Sequence, residues 1–406
     1  MRTPVDDISP AFASHPQGTA ARNATILFLA ALTIMAGATI SPALPAIESH
    51  FSDNPQAAIL TRLVLTIPAL FIALSAPFAG VLADRYGRRP VAIAAVILYG
   101  LAGSSGLVAD SLPGLLIGRA LLGVAVAGVM TVATALVGDF FSGAGRDRFM
   151  GLQAAFIGMG GLVFLTGGGL LAELHWRAPF FIYAIAFGLL PAIALFIPEP
   201  VLDRRADTAS PRAASAGLFT IPLTAVFVAA VLNSIVFYLM PTQLPFHLRE
   251  LGTAAPILAG MALGLMTLAS ALMSFCYGRV RRHVSVAGVF ALGFFLLAGG
   301  LGIVALAEDY TAILPGALLA GCAIGLVMPN LNSAAMGLAD ERQRGRVAGM
   351  LTASIFFGQF ISPLISQPLS AQGDYASAFG FGAAMIMAAS LTAFTVAATR
   401  RRRGIA

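Results

Sequence analysis

The sequence predicts an all-α integral membrane protein whose twelve transmembrane helices form two pseudo-symmetric six-helix bundles. Of its 406 residues, 58% are hydrophobic and only 10% are charged, whereas a soluble domain carries roughly 25% charged residues. Apolar runs of the length that crosses a bilayer, roughly 20 residues, recur along the chain. These runs lack the alternation of polar and apolar residues that a membrane β-barrel needs. They are therefore helices.

Twelve spans are predicted, and they are numbered here in chain order. They cover residues 24–46, 58–82, 90–109, 112–136, 149–171, 178–198, 218–243, 254–277, 285–307, 311–336, 347–369 and 376–398. The first apolar run is too long for the core of a cleavable signal peptide. We therefore expect a polar tail at 1–23, a first bundle at 24–198, a linker at 199–217, a second bundle at 218–398 and a basic tail at 399–406.

The distribution of arginine predicts the orientation in the membrane. All 24 basic residues are Arg, and 20 of them fall on one side when the N-terminus is cytoplasmic; the others are Arg62, Arg119, Arg177 and Arg249. Arg-rich short loops stay in the cytoplasm, so we expect a multi-pass inner-membrane protein with both termini cytoplasmic. These Arg lie in short loops and not along a basic stripe, which argues against nucleic-acid binding.

The two halves of the chain repeat each other. Residues 112–114 read Leu-Pro-Gly and recur 202 positions later as residues 314–316. The segment Arg-Asp-Arg at 146–148 resembles Arg-Gly-Arg at 344–346, which lies 198 positions later. Duplicated six-helix units are a common plan for secondary transporters. An even number of spans separates the copies, so they run parallel.

Residues 80–89 carry the most specific motif, Gly-Val-Leu-Ala-Asp-Arg-Tyr-Gly-Arg-Arg, in the loop between spans 2 and 3. This segment resembles the signature loop of the major facilitator superfamily, G-x-L-A-D-R-x-G-R-R. The resemblance implies the major facilitator fold and a cytoplasmic latch for the outward-open state, in which Asp84 meets the positive N-terminal end of helix 11. The latch residues it assigns are Gly80, Asp84, Arg85, Gly87, Arg88 and Arg89, with Asp139 at the end of span 4 as a further charge partner.

Arg119 lies inside span 4, and with Gly123 it resembles the R-x-x-x-G motif associated with proton coupling in drug antiporters. An Arg near mid-membrane costs roughly 2.5–3.5 kcal/mol, so it should face a cavity and find a partner. Because no acidic residue lies deep in a span, that partner is a backbone carbonyl, an Asn or Gln, or an anionic substrate. A structural Arg bonded to helix-1 carbonyls is the alternative. Arg119 and Asp139, beside Arg88, are the predicted coupling residues.

Helices 1, 4, 7 and 10 line the central cavity in this superfamily, so their polar side chains are the predicted substrate contacts, with one more from helix 11. These residues are Thr39, Asn233, Tyr238, Gln243, Met328, Asn330, Asn332 and Gln359. Neutral hydrogen-bonding groups among Met and Phe suit variable apolar ligands. In span 5 the antiporter motif G-x-x-x-G-P-x-x-G-G is interrupted by Phe164 and Leu165, and its glycines predict close helix packing. In span 7, Pro241 and Pro245 are expected to break the outer end.

The predicted function is secondary active transport, with efflux of small amphipathic compounds in exchange for protons. The alternatives are an exporter for one metabolite, such as a sugar, amino acid or organic anion, and a membrane sensor that does not transport. We expect no enzyme activity, cofactor or metal site, because the sequence has no P-loop, zinc cluster or Ser/His/Asp arrangement. The histidines are all expected in tails or near loop ends: His15, His50, His175, His247 and His283. The expected partners are a small-molecule substrate, protons and the bilayer, and the expected state is a monomer.

Overall fold

The computed structural model describes residues 16–198, 220–253, 255–340, 343–370 and 374–402. Within these ranges the chain contains twelve helical spans long and apolar enough to cross a membrane, and no strand. This arrangement confirms the predicted fold class. The predicted linker at 199–217, residues 1–15 of the predicted N-terminal tail and residues 403–406 of the predicted C-terminal tail lie outside the described residues.

Eight spans are single α-helices, and four are interrupted. The single helices are Ala57–Tyr86 (span 2), Leu112–Phe140 (span 4), Gly143–Leu174 (span 5), Pro256–His283 (span 8), Val286–Ala305 (span 9), Tyr310–Leu338 (span 10), Arg344–Ser370 (span 11) and Tyr375–Arg402 (span 12). Span 1 consists of Pro16–Ala38, a 3-10 turn at Ser41–Ala43 and Leu44–His50. Span 3 is Arg88–Ser104 followed by the 3-10 turn Ser105–Leu107, span 6 is the 3-10 helix Ala178–Gly188 followed by Leu189–Phe196, and span 7 is Ile221–Phe237 followed by Leu239–Glu250.

The helix ends follow local chemistry. Ser111, Ser285 and Asp309 each precede a helix, and each side chain accepts a hydrogen bond from the backbone N–H three residues later. Such caps satisfy donors that have no partner inside the helix. Gly87 alone separates spans 2 and 3, with a φ of +97°. That backbone region favours glycine, so Gly87 permits the tight turn expected from the loop motif.

Span 7 breaks at Tyr238, and the helix Leu239–Glu250 then runs through both prolines. The break expected at Pro241 and Pro245 is therefore placed elsewhere. Pro241 is the third residue of the second helix, where a backbone N–H has no intrahelical acceptor. Pro245 does remove one intrahelical donor, which leaves the Pro241 carbonyl without its usual partner. The hydroxyl of Ser41, from the other bundle, donates to this carbonyl.

The buried side chains form two cores, and a few residues of each half of the chain pack in the core of the other half. One core consists mainly of residues from spans 1–6, and the other mainly of residues from spans 7–12. Tyr238 and Phe246 of span 7 pack in the first core, while Leu165 of span 5 packs in the second. The bundles therefore interlock around the outer half of span 7 and the middle of span 5.

Candidate functional site

A cavity of about 270 Å³ lies between the bundles, beside the break in span 7. Its wall includes four hydrogen-bonding side chains, those of Thr33, Tyr238, Thr267 and Gln359, and none of the residues lining it is charged. The other wall residues are Ile34, Ala36, Gly37, Leu65, Pro68, Ala69, Ile72, Val126, Met130, Ile157, Leu165, Phe237, Pro241, Leu263, Met266 and Phe356. An apolar wall with a few polar groups is typical of a small-molecule site.

Two of the predicted substrate contacts, Tyr238 and Gln359, line this cavity. Its wall comes from spans 1, 2, 4, 5, 7, 8 and 11. Thr39 is fully buried, and its hydroxyl donates to the Met35 carbonyl at 2.6 Å. Asn233 is also fully buried, and neither polar atom of its amide has a hydrogen-bond partner among the described residues.

The predicted contacts of span 10 lie away from the cavity wall. The Asn330 amide donates to the Val286 carbonyl at 3.0 Å and accepts from the Tyr277 hydroxyl at 3.3 Å. These bonds join span 10 to the end of span 8 and the start of span 9. Asn332 is exposed and donates to the carbonyl of Met328 at 3.1 Å.

The side of the cavity away from the loop motif, which the arginine distribution predicts to be the outer side, is closed by a charged cluster, the outer gate, formed by Glu48, Arg62, Gln243, Phe246 and Tyr375. Arg62 is 1% exposed and forms an ion pair with Glu48 of its own bundle at 2.7 Å. Its Nε donates to Gln243 of span 7 at 3.1 Å, and its Nη2 donates to the Tyr375 hydroxyl at 3.4 Å. The guanidinium lies 3.9 Å from the centre of the Phe246 ring, which adds a cation–π contact.

Further bonds join the bundles on the same side. Arg249 of span 7 donates to the Ser49 hydroxyl at 2.9 Å and to the Pro45 carbonyl at 3.4 Å. Gln243 also donates to the Ser366 hydroxyl at 2.7 Å, which ties the outer gate to span 11. The arginine distribution predicts that Arg62 lies on the outer side, close to the start of predicted span 2 at 58–82. Its burial was missed because hydropathy does not show which residues face the other bundle.

Spans 5 and 8 meet along a glycine-lined seam between the bundles, as the glycine content of span 5 predicts. A Cβ at Gly161 would lie 2.3 Å from Thr267 Cγ2, and one at Gly158 would lie 2.3 Å from Ala271 Cβ. From span 8, a Cβ at Gly260 would lie 2.3 Å from the backbone oxygen of Leu165. Real Cβ atoms do not approach other atoms this closely, so only glycine allows these contacts.

Arg119 is 1% exposed and has three partners inside the first bundle. It donates to the Val64 carbonyl of span 2 at 3.0 Å, to the Ala36 carbonyl of span 1 at 2.7 Å and to the Tyr183 hydroxyl of span 6 at 2.9 Å. This geometry corresponds to the structural alternative named above. The bonds also hold the cavity wall, since Ala36 and the neighbour of Val64, Leu65, both line it.

The loop motif forms a charge cluster where span 2 ends, span 3 begins and span 4 ends. Arg88 is 12% exposed and pairs with Asp84, which is 70% exposed, and with Asp139 at 3.4 Å. Arg85 lies over the Tyr86 ring at 5.4 Å, and Arg89 is half-buried at the start of span 3. A Cβ at Gly80 would meet only Thr131, at 4.0 Å, so span 2 makes no tight contact there in this state.

The twelve-span fold and its central cavity define a multi-pass membrane transporter. The sequence matches the Major Facilitator Superfamily over residues 26–363 and again over 227–406. The chain therefore belongs to this superfamily.

Its relatives include two tetracycline resistance proteins of Escherichia coli, and the chain resembles the drug:proton antiporter branch. The class C protein is 27% identical over 400 residues, which cover 93% of this chain and 97% of that protein. The class E protein is 25% identical over 352 residues, which cover 84% of this chain and 85% of that protein.

Two solved structures share the fold. A bacterial homologue of the human lysosomal transporter Spinster superimposes with a TM-score of 0.73 at 17% identity, covering 95% of this chain and 96% of that one. A D-xylose–proton symporter superimposes with a TM-score of 0.74 at 15% identity, covering 92% of this chain and 97% of that one. At these identities the likeness shows the fold alone.

Proposed function

We propose that this protein exports small, largely apolar compounds from the cytoplasm in exchange for protons, by alternating access of the cavity to the two sides of the inner membrane. It acts as a monomer, with both termini in the cytoplasm. The observation that carries the proposal is the uncharged cavity between the bundles, closed on its outer side by the outer gate. A substrate that enters from the cytoplasm leaves outward only when those inter-bundle bonds separate.

The cavity wall favours uncharged or amphipathic substrates of varied shape. Its side chains include two flexible methionines, Met130 and Met266, and the aromatic rings of Phe237, Tyr238 and Phe356. Methionine adapts to irregular ligands, and aromatic walls bind flat apolar groups. A fully charged substrate would lose its hydration with no opposite charge on the wall, which is costly. The tetracycline resistance of relatives at full-length similarity supports the same substrate class.

Accumulation of tetracycline in cells tests the proposed function. We expect cells that express the protein to accumulate less tetracycline than cells with an empty vector, and we expect a protonophore to remove the difference. A difference that survives the protonophore would contradict proton-driven export. Export restricted to one sugar, amino acid or organic anion would favour the metabolite exporter.

We further propose that the loop cluster around Arg88 stabilises the outward-open state, with Asp84 moving from Arg88 to the N-terminal end of span 11 and Asp139 providing a proton-accepting carboxylate. Two observations support this role. Asp84 is largely exposed in the outer-closed state, so it is free to take a second partner when span 11 approaches. Asp139 and Asp84 share Arg88, so movement of Arg88 would change the charge beside both carboxylates.

Asp84→Asn tests the latch. We expect thermal stability to change by less than about 1 kcal/mol, because exposed ion pairs contribute little. We expect the export rate to fall about tenfold or more, which corresponds to about 1.4 kcal/mol in the balance between the two states. The matched control is Asp110→Asn, which removes an exposed carboxylate paired with Arg177 at 2.6 Å on the outer side. Equal rates for the two variants would refute the latch.

A further inference from the structure

The outer half-helix of span 7, Leu239–Glu250, holds a buried histidine in an unusual arrangement. His247 is 2% exposed, although the sequence pattern had placed it near a loop end. Its Nε2 faces the Val304 carbonyl of span 9 at 3.2 Å, and its Nδ1 faces a carboxylate oxygen of Glu250 at 3.4 Å. The imidazole ring also packs against the Phe379 ring of span 12, with centroids 5.6 Å apart.

This arrangement requires a proton beyond that of a neutral imidazole. A neutral imidazole has one N–H donor and one acceptor nitrogen, whereas an imidazolium has two donors. Both nitrogens of His247 face acceptors. If the ring were neutral and the carboxylate ionised, one nitrogen lone pair of the buried ring would face an acceptor oxygen, which is unfavourable. One added proton, shared between His247 and Glu250, satisfies both contacts.

We propose that His247 and Glu250 form a proton-binding site that closes the outer gate when it is loaded from the outer side. Glu250 is 39% exposed at the end of the helix, so it can receive a proton from the outer medium. The inference deepens the proposed antiport and rests on it for the direction of transport: a proton that arrives after substrate release would return the protein to its outer-closed state.

The half-helix connects this site to both the outer gate and the cavity. Gln243 lies one turn before His247 on the same helix and accepts from Arg62 of the other bundle. Phe246, the residue before His247, lies under the Arg62 guanidinium. The half-helix begins directly after Tyr238, which lines the cavity. His247 and the residues that contact the other bundle lie on one helix of twelve residues, so a movement of His247 also moves those contacts.

Other charged and titratable groups surround the pair. Arg249 lies on the same helix as the pair, and the Val304 carbonyl lies on span 9. Asp374 and Tyr375 lie at the start of span 12. Arg62 and Glu48 lie across the interface, in the other bundle. Hydrogen bonds from Ser377 lower the pKa of Asp374, so this exposed carboxylate adds a negative charge near the pair. Arg62 and Arg249 already have acceptors in Glu48, Gln243, Ser49 and Pro45.

The distance between the outer ends of the two bundles measures the state of the gate. Spin labels at Ser52 and Leu306, in a background with Cys276 and Cys322 replaced by Ala, report this distance in the purified full-length protein. We expect acid to favour the short, outer-closed distance and alkali the long one. In measurements from about pH 5 to pH 8, the ratio of the two populations should change by up to about tenfold per pH unit, as one proton allows.

His247→Gln and Glu250→Gln test the site directly. Gln at 247 keeps a donor for the Val304 carbonyl but cannot titrate, and Gln at 250 keeps an acceptor without the charge. We expect both variants to fold, to give one peak in size-exclusion chromatography and to lose the pH-dependent change in distance. The control His175→Gln removes an exposed histidine on the same side of the membrane, and we expect it to behave as wild type.

Two results would overturn the inference: a wild-type distance that does not change with pH, or a change that survives unaltered in His247→Gln. The measurement uses neither substrate nor gradient. A protein that fails to export tetracycline therefore refutes the proposed function without affecting this result, and the converse also holds.

Discussion

Arg119→Ala is expected to abolish proton-driven export while the protein still inserts into the membrane. The substitution removes three hydrogen bonds that hold spans 1, 2 and 6 to span 4. A bond to a charged group contributes about 1.5–3 kcal/mol, so the cavity wall is destabilised by at least about 3 kcal/mol. If this cost falls on the transporting state, the rate decreases more than about a hundredfold. Insertion is spared because the variant removes an intramembrane charge.

Flux and thermal unfolding of the same preparation separate the two roles of Arg119. The control Arg177→Ala removes an arginine that donates to the part-buried Ala109 carbonyl and to the exposed Asp110 carboxylate, and we expect nearly normal flux from it. If Arg119→Ala unfolds at a lower temperature but exports at the wild-type rate, its role is structural alone. If flux is lost and stability is unchanged, Arg119 contributes to coupling directly.

Gly260→Ala is expected to shift the protein towards the outward-open state. Its new Cβ would lie 2.3 Å from the Leu165 carbonyl oxygen, a backbone atom that cannot rotate away. Overpacking of this kind costs about 1–3 kcal/mol, and the cost applies only while spans 5 and 8 are in contact. The outward-open population should therefore rise about fivefold to more than a hundredfold.

The spin-label distance between Ser52 and Leu306 measures this shift, and Gly167→Ala is its matched control. Gly167 lies in the same glycine-rich segment of span 5, but a Cβ there would have no atom within 4 Å. We expect the control to retain the wild-type distance and export rate. A Gly260→Ala protein with the wild-type distance would mean that the seam does not separate in the transport cycle.

The sequence predicts the twelve spans well because each is a long apolar run, and the turn at Gly87 follows from the loop motif. It does not reveal the outer gate. Arg62 lies five residues inside an apolar run, and its partner Gln243 is 181 positions away. Which side chains face the other bundle depends on tertiary packing that hydropathy does not contain. His247 was assigned to a loop end because the helix that buries it continues through two prolines.

The position of the break at Tyr238 could not be predicted for a similar reason. Prolines usually end a helix, which favours a break at Pro241 or Pro245. Pro245 has no backbone N–H, so the Pro241 carbonyl has no donor within the helix. The Ser41 hydroxyl of the opposite bundle donates a hydrogen bond to this carbonyl instead. Compensation by a residue 200 positions away becomes visible only once both bundles are in place.

Coupled flux in proteoliposomes tests the central claim most directly. Purified protein is reconstituted into vesicles loaded with a pH-sensitive dye, the lumen is made acidic, and tetracycline is added outside. For molecules whose cytoplasmic face points outward, we predict that tetracycline accumulates in the lumen above its external concentration while the lumen becomes more alkaline faster than in protein-free vesicles. Both effects should vanish without the pH gradient. Tetracycline entry that has the same rate and extent with and without the gradient, and leaves the luminal pH unchanged, would contradict proton-coupled export.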